Sequence, residues 1–335
     1  MNAARKIKLP LVRSKKLKWG VAGCGNYLEN TFLPALTMLK KNKLISVYSS
    51  DLNRAAKVAK KFNAEKSFNN FADFLNSDFD ILYISSVNSN HHWQVIEAAK
   101  KGKHILCEKP LALSSAQADE MIEICKQNNV FLTINYVFRY HPLVIKAKEL
   151  IDNHLIGKIV SIDTHFNTKY VPNDNYRFNK KESGGGALRD LGTHMIDLLR
   201  FFGGEIVNIS GIVDNVIYKS EVDDFANAIV KFERGGYGSF NVSFNTQKAF
   251  NRIEILGSNG SISIDNIIAN KFSPGKLSIN LKSEVRKAFR KRANKQLYLL
   301  RAVQKSILKH EQPQITGHDG LVNIVLMERL EQQCL

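Results

Sequence analysis

Between residues 189 and 197 the chain reads Arg-Asp-Leu-Gly-Thr-His-Met-Ile-Asp, and three of those side chains can hold or move a proton. On a helix Asp190, His194 and Asp197 stand at i, i+4 and i+7, so an acid, an imidazole and a second acid share one face. Leu191, Met195, Leu198 and Leu199 supply an apolar opposite face. A histidine flanked by carboxylates is oriented by them and raised in pKa, which suits proton transfer near neutrality. Taken alone, the triplet fits a plainer role better, with Asp190 as a helix cap and His194 as an ordinary hydrogen-bonded residue.

Three further groups change that balance. Gly23-Cys24-Gly25 follows an apolar strand and opens a helix, where glycines let the backbone approach a pyrophosphate held at the helix N-terminus. Tyr48-Ser49-Ser50-Asp51 ends the second strand, with Ser49 where a ribose-binding acid is expected and Arg54 one turn beyond Asp51. Hydroxyls beside a guanidinium suit a 2′-phosphate better than a bare diol, so NADP is favoured over NAD; the alternative is that Asp51 only caps the next helix and the site tolerates NAD. Glu108-Lys109-Pro110 ends the fourth strand, where ligands bind in open parallel sheets, and Lys109 there can donate to an alkoxide or carbonyl oxygen.

The elements that must position these groups follow two grammars. Apolar strands at Lys18–Gly23, Leu44–Tyr48, Ile81–Ser85, His104–Cys107 and Val130–Tyr136 alternate with helical segments, the pattern of βαβ units and a parallel sheet. From Ile159 onward half-buried alternation takes over. Ala226–Phe232 and Gly238–Phe244 are joined by Glu233-Arg234-Gly235-Gly236, and Arg252–Leu256 and Ser261–Ile264 by Gly257-Ser258-Asn259-Gly260. These hairpin signals predict a largely antiparallel sheet with apolar residues on both faces. Residues 296–308 and 319–333 read as helices and 283–295 as the most linker-like stretch. The expected division is a basic extension over 1–18, a dinucleotide-binding domain over 19–138, and a substrate-binding and oligomerisation domain over 139–335.

At 335 residues, 44% hydrophobic and 9% aromatic, the chain has the composition of a globular protein with room for two domains. Cys24, Cys107, Cys125 and Cys334 show neither disulfide nor metal spacing, so a reducing, cytoplasmic setting with no metal is expected. No apolar run approaches the ~20 residues of a membrane span, and the basic N-terminus lacks the apolar core of a signal peptide. The net charge of +17 is regional: residues 1–18 hold seven Lys/Arg and no acid, and 276–310 hold eleven against Glu284 alone. The rest of the chain is neutral, which argues against nucleic-acid binding by the body of the protein.

Together the motifs GVAGCGN, HHWQVIEAAKKGKHILCEKPLALS, YRFNKKESGGGALRDLGTHMIDLLRFFGG and TGHDGLVNIVLMERL resemble the Gfo/Idh/MocA oxidoreductase superfamily, in that family's order. The likeness covers about residues 19–275 and 296–330. It implies an N-terminal Rossmann domain and a C-terminal α/β domain with an open, mostly antiparallel sheet. It implies that Lys109 is catalytic and precedes a cis Pro110, that Asp190 and His194 are the Asp-x-x-x-His pair, and that Asp197 and Arg177 contact substrate. Carried through the same motifs, Gly23, Gly25, Asn26, Tyr27, Ser49, Ser50, Arg54, Ser86, Asn88, His91, Glu108 and Lys109 are the expected cofactor contacts. Departures are Leu28 in place of the third small residue, Tyr176 for a tryptophan, Ser86-Val87-Asn88 for Thr-Pro-Asn, and His318 in the late motif.

The implied activity is reversible oxidation of a secondary alcohol on a sugar, sugar derivative or cyclitol, with NADP or NAD. His194 removes the hydroxyl proton, Asp190 stabilises the imidazolium, and Lys109 stabilises the oxyanion. A homo-oligomer built on the open sheet is also expected. The alternatives are an NAD-dependent glycosidase using a transient redox step, a non-catalytic NAD(P)-binding sensor, and a binding protein using the basic segments. Retention of both Lys109 and His194 counts against the sensor.

Overall fold

The structure, a computed structural model, describes residues 16–268, 274–283 and 286–334. The basic extension expected over 1–18 therefore falls outside the described residues up to residue 15, and Leu17 and Lys18 already belong to the first strand.

Strands β1 (Leu17–Ala22), β2 (Asn42–Tyr48), β3 (Lys66–Phe68), β4 (Ile81–Ile84), β5 (His104–Cys107) and β6 (Leu132–Ile134) lie parallel in the order β3-β2-β1-β4-β5-β6. Helices α1 (Leu33–Thr37), α2 (Leu52–Phe62), α3 (Phe71–Leu75), α4 (His91–Lys100) and α5 (Ser115–Gln127) make the crossovers. All four residues of β4 are buried, as a central parallel strand covered on both faces requires. The order reverses between β1 and β4, which opens a crevice beyond their C-terminal ends. The short β3 and α3 are not announced by the sequence pattern, because three strand residues are too few to show a period.

The second half runs α6 (Pro142–Asp152), β7 (Ile159–Lys169), α7 (Lys180–Ser183), α8 (Thr193–Gly203), β8 (Ile206–Asp214), β9 (Phe225–Phe232), β10 (Tyr237–Ser243), β11 (Asn245–Gly257), β12 (Gly260–Asp265), β13 (Gly275–Leu281) and β14 (Arg286–Lys291). It closes with α9 (Lys295–Lys309) and α10 (Gly317–Gln333). Its eight strands form one sheet, β14-β13-β12-β11-β7-β10-β9-β8, antiparallel except where β10 meets β7. One face carries Ile162, Val230, Phe240, Val242, Ile253, Ile255, Ile262, Ile264 and Leu277, all buried.

The other face corrects the expectation of apolar residues on both sides. The cross-strand rows there are mostly polar: Ser239 pairs with Asp163, Asn241 with His165, and Arg252 with Asp265. The hydroxyl of Ser243 donates to Asn167 Oδ1 at 2.8 Å, so the polar groups satisfy one another along the surface. The stretch expected to be a linker, 283–295, is also corrected. Residues 286–291 form edge strand β14, paired with β13 through Ala288↔Ser278, residues 292–294 lead into α9, which Lys295 opens, and residues 284 and 285 lie outside the described residues.

Helix α10 returns to the first domain. Its Thr316–Asp319 capping box starts it, and Ile324, Leu326, Met327 and Leu330 are buried along it. A Cβ at Gly320 would stand 2.9 Å from Leu111, and one at Gly317 would stand 3.0 Å from Leu132 of β6. Ser115 N–H at the start of α5 donates to Glu328 at 2.8 Å. The last helix thus completes the cover of the first sheet.

Candidate active site

At the crevice, β1 ends in Gly23-Cys24-Gly25 and the chain enters a π-helical turn, Leu28–Phe32, that runs into α1. The two glycines serve different ends. Gly23 has φ +93°, and a Cβ there would lie 2.5 Å from the Ser86 amide nitrogen, so it lets the β1 and β4 loops pass each other. Gly25 has nothing within 4 Å of a would-be Cβ, so its open side is the space a pyrophosphate needs beside the helix start. Leu28, the departure from a small residue, is fully buried, and the helical turn that it opens is the wide π form. Asn26 and Tyr27 are exposed at this entrance, and the Tyr27 hydroxyl donates to Gln296 Oε1 of α9 at 2.9 Å.

At the end of β2 the Asp51 carboxylate accepts from the Asn53 and Arg54 amides at 2.9 and 3.3 Å and caps α2. It is therefore occupied by the helix, as the alternative reading had it. Ser49 is buried, its hydroxyl accepting from the Asp51 amide at 3.3 Å, whereas Ser50 and Arg54 are exposed. These features suit a dinucleotide: an open glycine at a helix start, and exposed Ser50 and Arg54 at the ribose corner.

A cavity of about 520 Å³ continues from the crevice toward the second sheet. Tyr27, Ser86, Asn88, Glu108, Lys109, Arg177, Asp190 and His194 line it, so eight of the expected residues meet in one space. The Lys109–Pro110 peptide is cis. Lys109 Nζ donates to the Asp190 backbone carbonyl at 2.9 Å and forms an ion pair with the Asp190 carboxylate. Arg177 Nε donates to the other oxygen of Asp190 at 3.0 Å, with its guanidinium 5.1 Å from the centre of the Tyr176 ring. Burial would raise the Asp190 pKa, but Lys109 and Arg177 hold it well below the usual carboxylate range. Asp190 is ionised and shared between two cations.

His194 departs from the expectation. It sits in the first turn of α8, while Asp190 lies in a preceding π-helical turn, Leu188–Gly192. The Asp190 carboxylate is taken by Lys109 and Arg177, and His194 Nδ1 is buried without a hydrogen-bond partner. The rings of Phe138, Tyr136 and Phe166 surround it at 4.5, 6.2 and 6.4 Å. Burial, then the neighbouring Lys109 charge, push its pKa well below the ordinary histidine value, and the upward pull of Asp190 is outweighed. The imidazole is neutral.

Two more expectations are corrected. Asp197 does not line the cavity: it is 1% exposed and receives both Arg139 Nε at 2.9 Å and Nη2 at 2.6 Å. Arg139 also reaches Asp319 at 2.9 Å, so Asp197 joins α8 to the start of α10. His91 is fully buried and does not line the cavity, its ring nitrogens 3.0 Å from the Pro110 carbonyl and 3.3 Å from that of Ser86. It ties the cis-proline loop to the β4 loop. Asn88 lines the cavity while its amide donates to the Ser183 carbonyl at 2.9 Å.

The sequence reading missed the groups behind Lys109. Glu108 accepts from Tyr83 at 2.5 Å and from Asn135, which in turn exchanges hydrogen bonds with Gln296 at 3.1 and 3.2 Å. Burial pushes the Glu108 carboxyl up against the pull of those donors. It also missed Lys295, which lines the cavity beside Phe138 and Asn294. Asn135 and Gln296 had no motif to mark them, and Lys295 was hidden in a basic run. Among the described residues no cluster of His, Cys, Asp or Glu could hold a metal.

Residues 17–136 match the oxidoreductase family with an NAD-binding Rossmann fold, and 144–263 match the GFO/IDH/MocA C-terminal domain. The 1,5-anhydro-D-fructose reductase of Ensifer adhaerens is 28% identical over 311 residues, 91% of this chain and 92% of that protein. The levoglucosan dehydrogenase of Pseudarthrobacter phenanthrenivorans is 29% identical over 261 residues, 69% and 66% of the two chains. The aldose-aldose oxidoreductase of Caulobacter crescentus, solved with glycerol, superposes with a TM-score of 0.88 at 24% identity, over 95% of this chain and 97% of that one.

Proposed function

The chain belongs to the GFO/IDH/MocA family of NAD(P)-dependent oxidoreductases, and on that premise we propose that it interconverts a secondary alcohol and a ketone on a sugar or cyclitol. The observation that carries this reading is the meeting of Lys109, Asp190, Arg177 and His194 in one cavity that Tyr27, next to the glycine loop, also lines. The full-length likeness to a reductase of an anhydro-sugar supports the substrate class.

Gly25, Asn26 and the helix start would hold the dinucleotide phosphates, and Ser50 and Arg54 the adenosine ribose. When bound, the nicotinamide supplies or accepts the hydride. Lys109, held by Asp190, places its ammonium where a reacting oxygen gains negative charge, and a preorganised donor there needs no reorganisation during the reaction. His194, neutral, takes the hydroxyl proton in oxidation and returns it in reduction. Arg177 keeps Asp190 ionised and narrows the cavity wall. Asp190 thus acts on Lys109 and does not orient the imidazole.

The exposed Ser50 and Arg54 favour NADP, while Asp51 as a helix cap is compatible with NAD as well. Arg54→Ala should weaken NADP binding about tenfold, a charge-assisted bond being worth ~1.5–3 kcal/mol, with NAD affected far less. A wild type that binds NAD more tightly sinks this preference. A homo-oligomer through the outer face of the second sheet is supported by exposed Ile212, Ile229, Tyr237, Phe250 and Leu256 among its polar rows. A monomeric mass by light scattering at micromolar concentration would contradict it. Four free cysteines, three of them buried, support a cytoplasmic location, and no described helix is long and apolar enough to cross a membrane.

The deciding experiment is a steady-state assay of NADPH and NADH against a panel of keto sugars and glycosides. Stoichiometric cofactor turnover is expected. Release of an aglycone with only catalytic cofactor would favour the glycosidase reading instead.

A further inference from the structure

Lys295 is a cation in an unfavourable place twice over. It opens helix α9, where backbone amides already concentrate positive charge and a lysine is the wrong sign. It is half-buried, with its Nζ 4.9 Å from the centre of the Phe138 ring in a cation–π contact and donating to the Ile267 carbonyl at 2.7 Å. Among the described residues no carboxylate pairs with it. Elsewhere in the cavity Lys109 and Arg177 share the single carboxylate of Asp190, so the Lys295 ammonium adds to a surplus of positive charge.

We propose that Lys295 and the N-terminus of α9 form a subsite for an anionic group, a carboxylate or phosphate, on the sugar substrate. An anion there relieves both penalties at once: it pairs the ammonium and accepts from the helix start. Burial pushes the ammonium down to about 8, and a bound anion would raise it again. The approach has the matching sign. Arg290, Lys291 and Arg292 are exposed immediately before Ala293 and Asn294, which line the cavity. A basic strand leading to the rim draws anionic ligands inward. The sequence showed only a regional charge excess; the structure puts its end at the cavity.

The inference rests on the reading of this cavity as the sugar site, and one experiment separates the two. The full-length protein loaded with NADP is titrated calorimetrically with D-glucose, D-glucuronate and D-glucose 6-phosphate. At least one anionic sugar should bind about tenfold or more tightly than glucose, as expected for one charge-assisted contact. Which of the two does so distinguishes a carboxylate from a phosphate. Lys295→Gln should reduce the ratio to about one, and Lys295→Arg should keep most of it. Glucose binding as tightly as both anionic sugars in the wild type overturns this inference and leaves the sugar-site reading standing, whether or not any variant folds. Failure of all three sugars to bind overturns both. A preference that survives Lys295→Gln also overturns the assignment to this residue.

Discussion

The reacting groups are set by which partner reaches each one first. Spacing put Asp190, His194 and Asp197 on one face, and it could not say that Lys109 and Arg177 take Asp190 or that Arg139 takes Asp197. Those partners lie 13 to 81 residues away in the chain, beyond any local pattern. Lys109, Asp190, Arg177 and His194 were nonetheless legible, because short motifs carried them. Lys109→Ala and His194→Ala should each lower kcat by ~10²–10⁴-fold, the usual worth of a general acid or base, with NADP affinity by fluorescence titration nearly unchanged. Retention of full activity in either variant would sink the mechanism. The depressed pKa of His194 also has a sign that can be read in a pH profile. Protonation removes the base, and in the folded protein it occurs below the ordinary value of 6.5. Oxidation should therefore hold its kcat/KM as pH falls through 6.5 and decline only below it; an acidic limb centred above 6.5 would contradict the apolar setting of the imidazole.

At the scale of elements, the parallel sheet was readable because its strands are continuous apolar runs between helices. The antiparallel sheet was readable from its glycine-rich turns. What escaped was β14, whose residues Arg286-Lys287-Ala288-Phe289-Arg290-Lys291 are all exposed and show no burial period. Its pairing is dictated by β13 rather than by its own sequence. The loop after β1 gives a sharper test of what glycine does. Gly25→Ala should leave thermal stability within about 0.5 kcal/mol, the range for a change that meets no neighbour, while cutting NADP affinity at least several-fold. Gly23→Ala should do the reverse damage first, lowering the melting temperature, because its Cβ would meet the Ser85–Ser86 backbone in a left-handed conformation. Equal behaviour of the two variants would show that the loop does not divide its work in this way.

Across the molecule, three buried histidines share one electrostatic consequence. His91 and His141 are each pushed down to about 4 by burial, and His194 is lowered as well. Between those values and 6.5 the unfolded chain binds protons that the folded chain refuses, so their contribution is complete above pH 6.5 and is lost as pH falls. His91 alone accounts for on the order of 3 kcal/mol, because each tenfold loss of proton affinity on folding is worth about 1.4 kcal/mol. Urea midpoints should fall steeply from pH 6.5 to 4, and His91→Gln should flatten part of that slope; a midpoint constant over this range would show that the three rings are not held neutral. The net charge, by contrast, was legible only in amount and region. Its relation to the cavity depended on a strand that the sequence does not announce.

The return of α10 to the first sheet bears on how the chain is made. When a ribosome has finished β6, every strand of the dinucleotide-binding sheet exists, yet Leu111 and Leu132 still lack the helix that packs on them. That helix begins at Gly317, so at 5–20 residues per second its synthesis follows roughly 10 to 40 s later. For that interval the nascent first domain carries an uncovered apolar side. Folding of the dinucleotide-binding domain therefore waits on a helix made well after its own strands, and the two halves ripen as one unit rather than in succession.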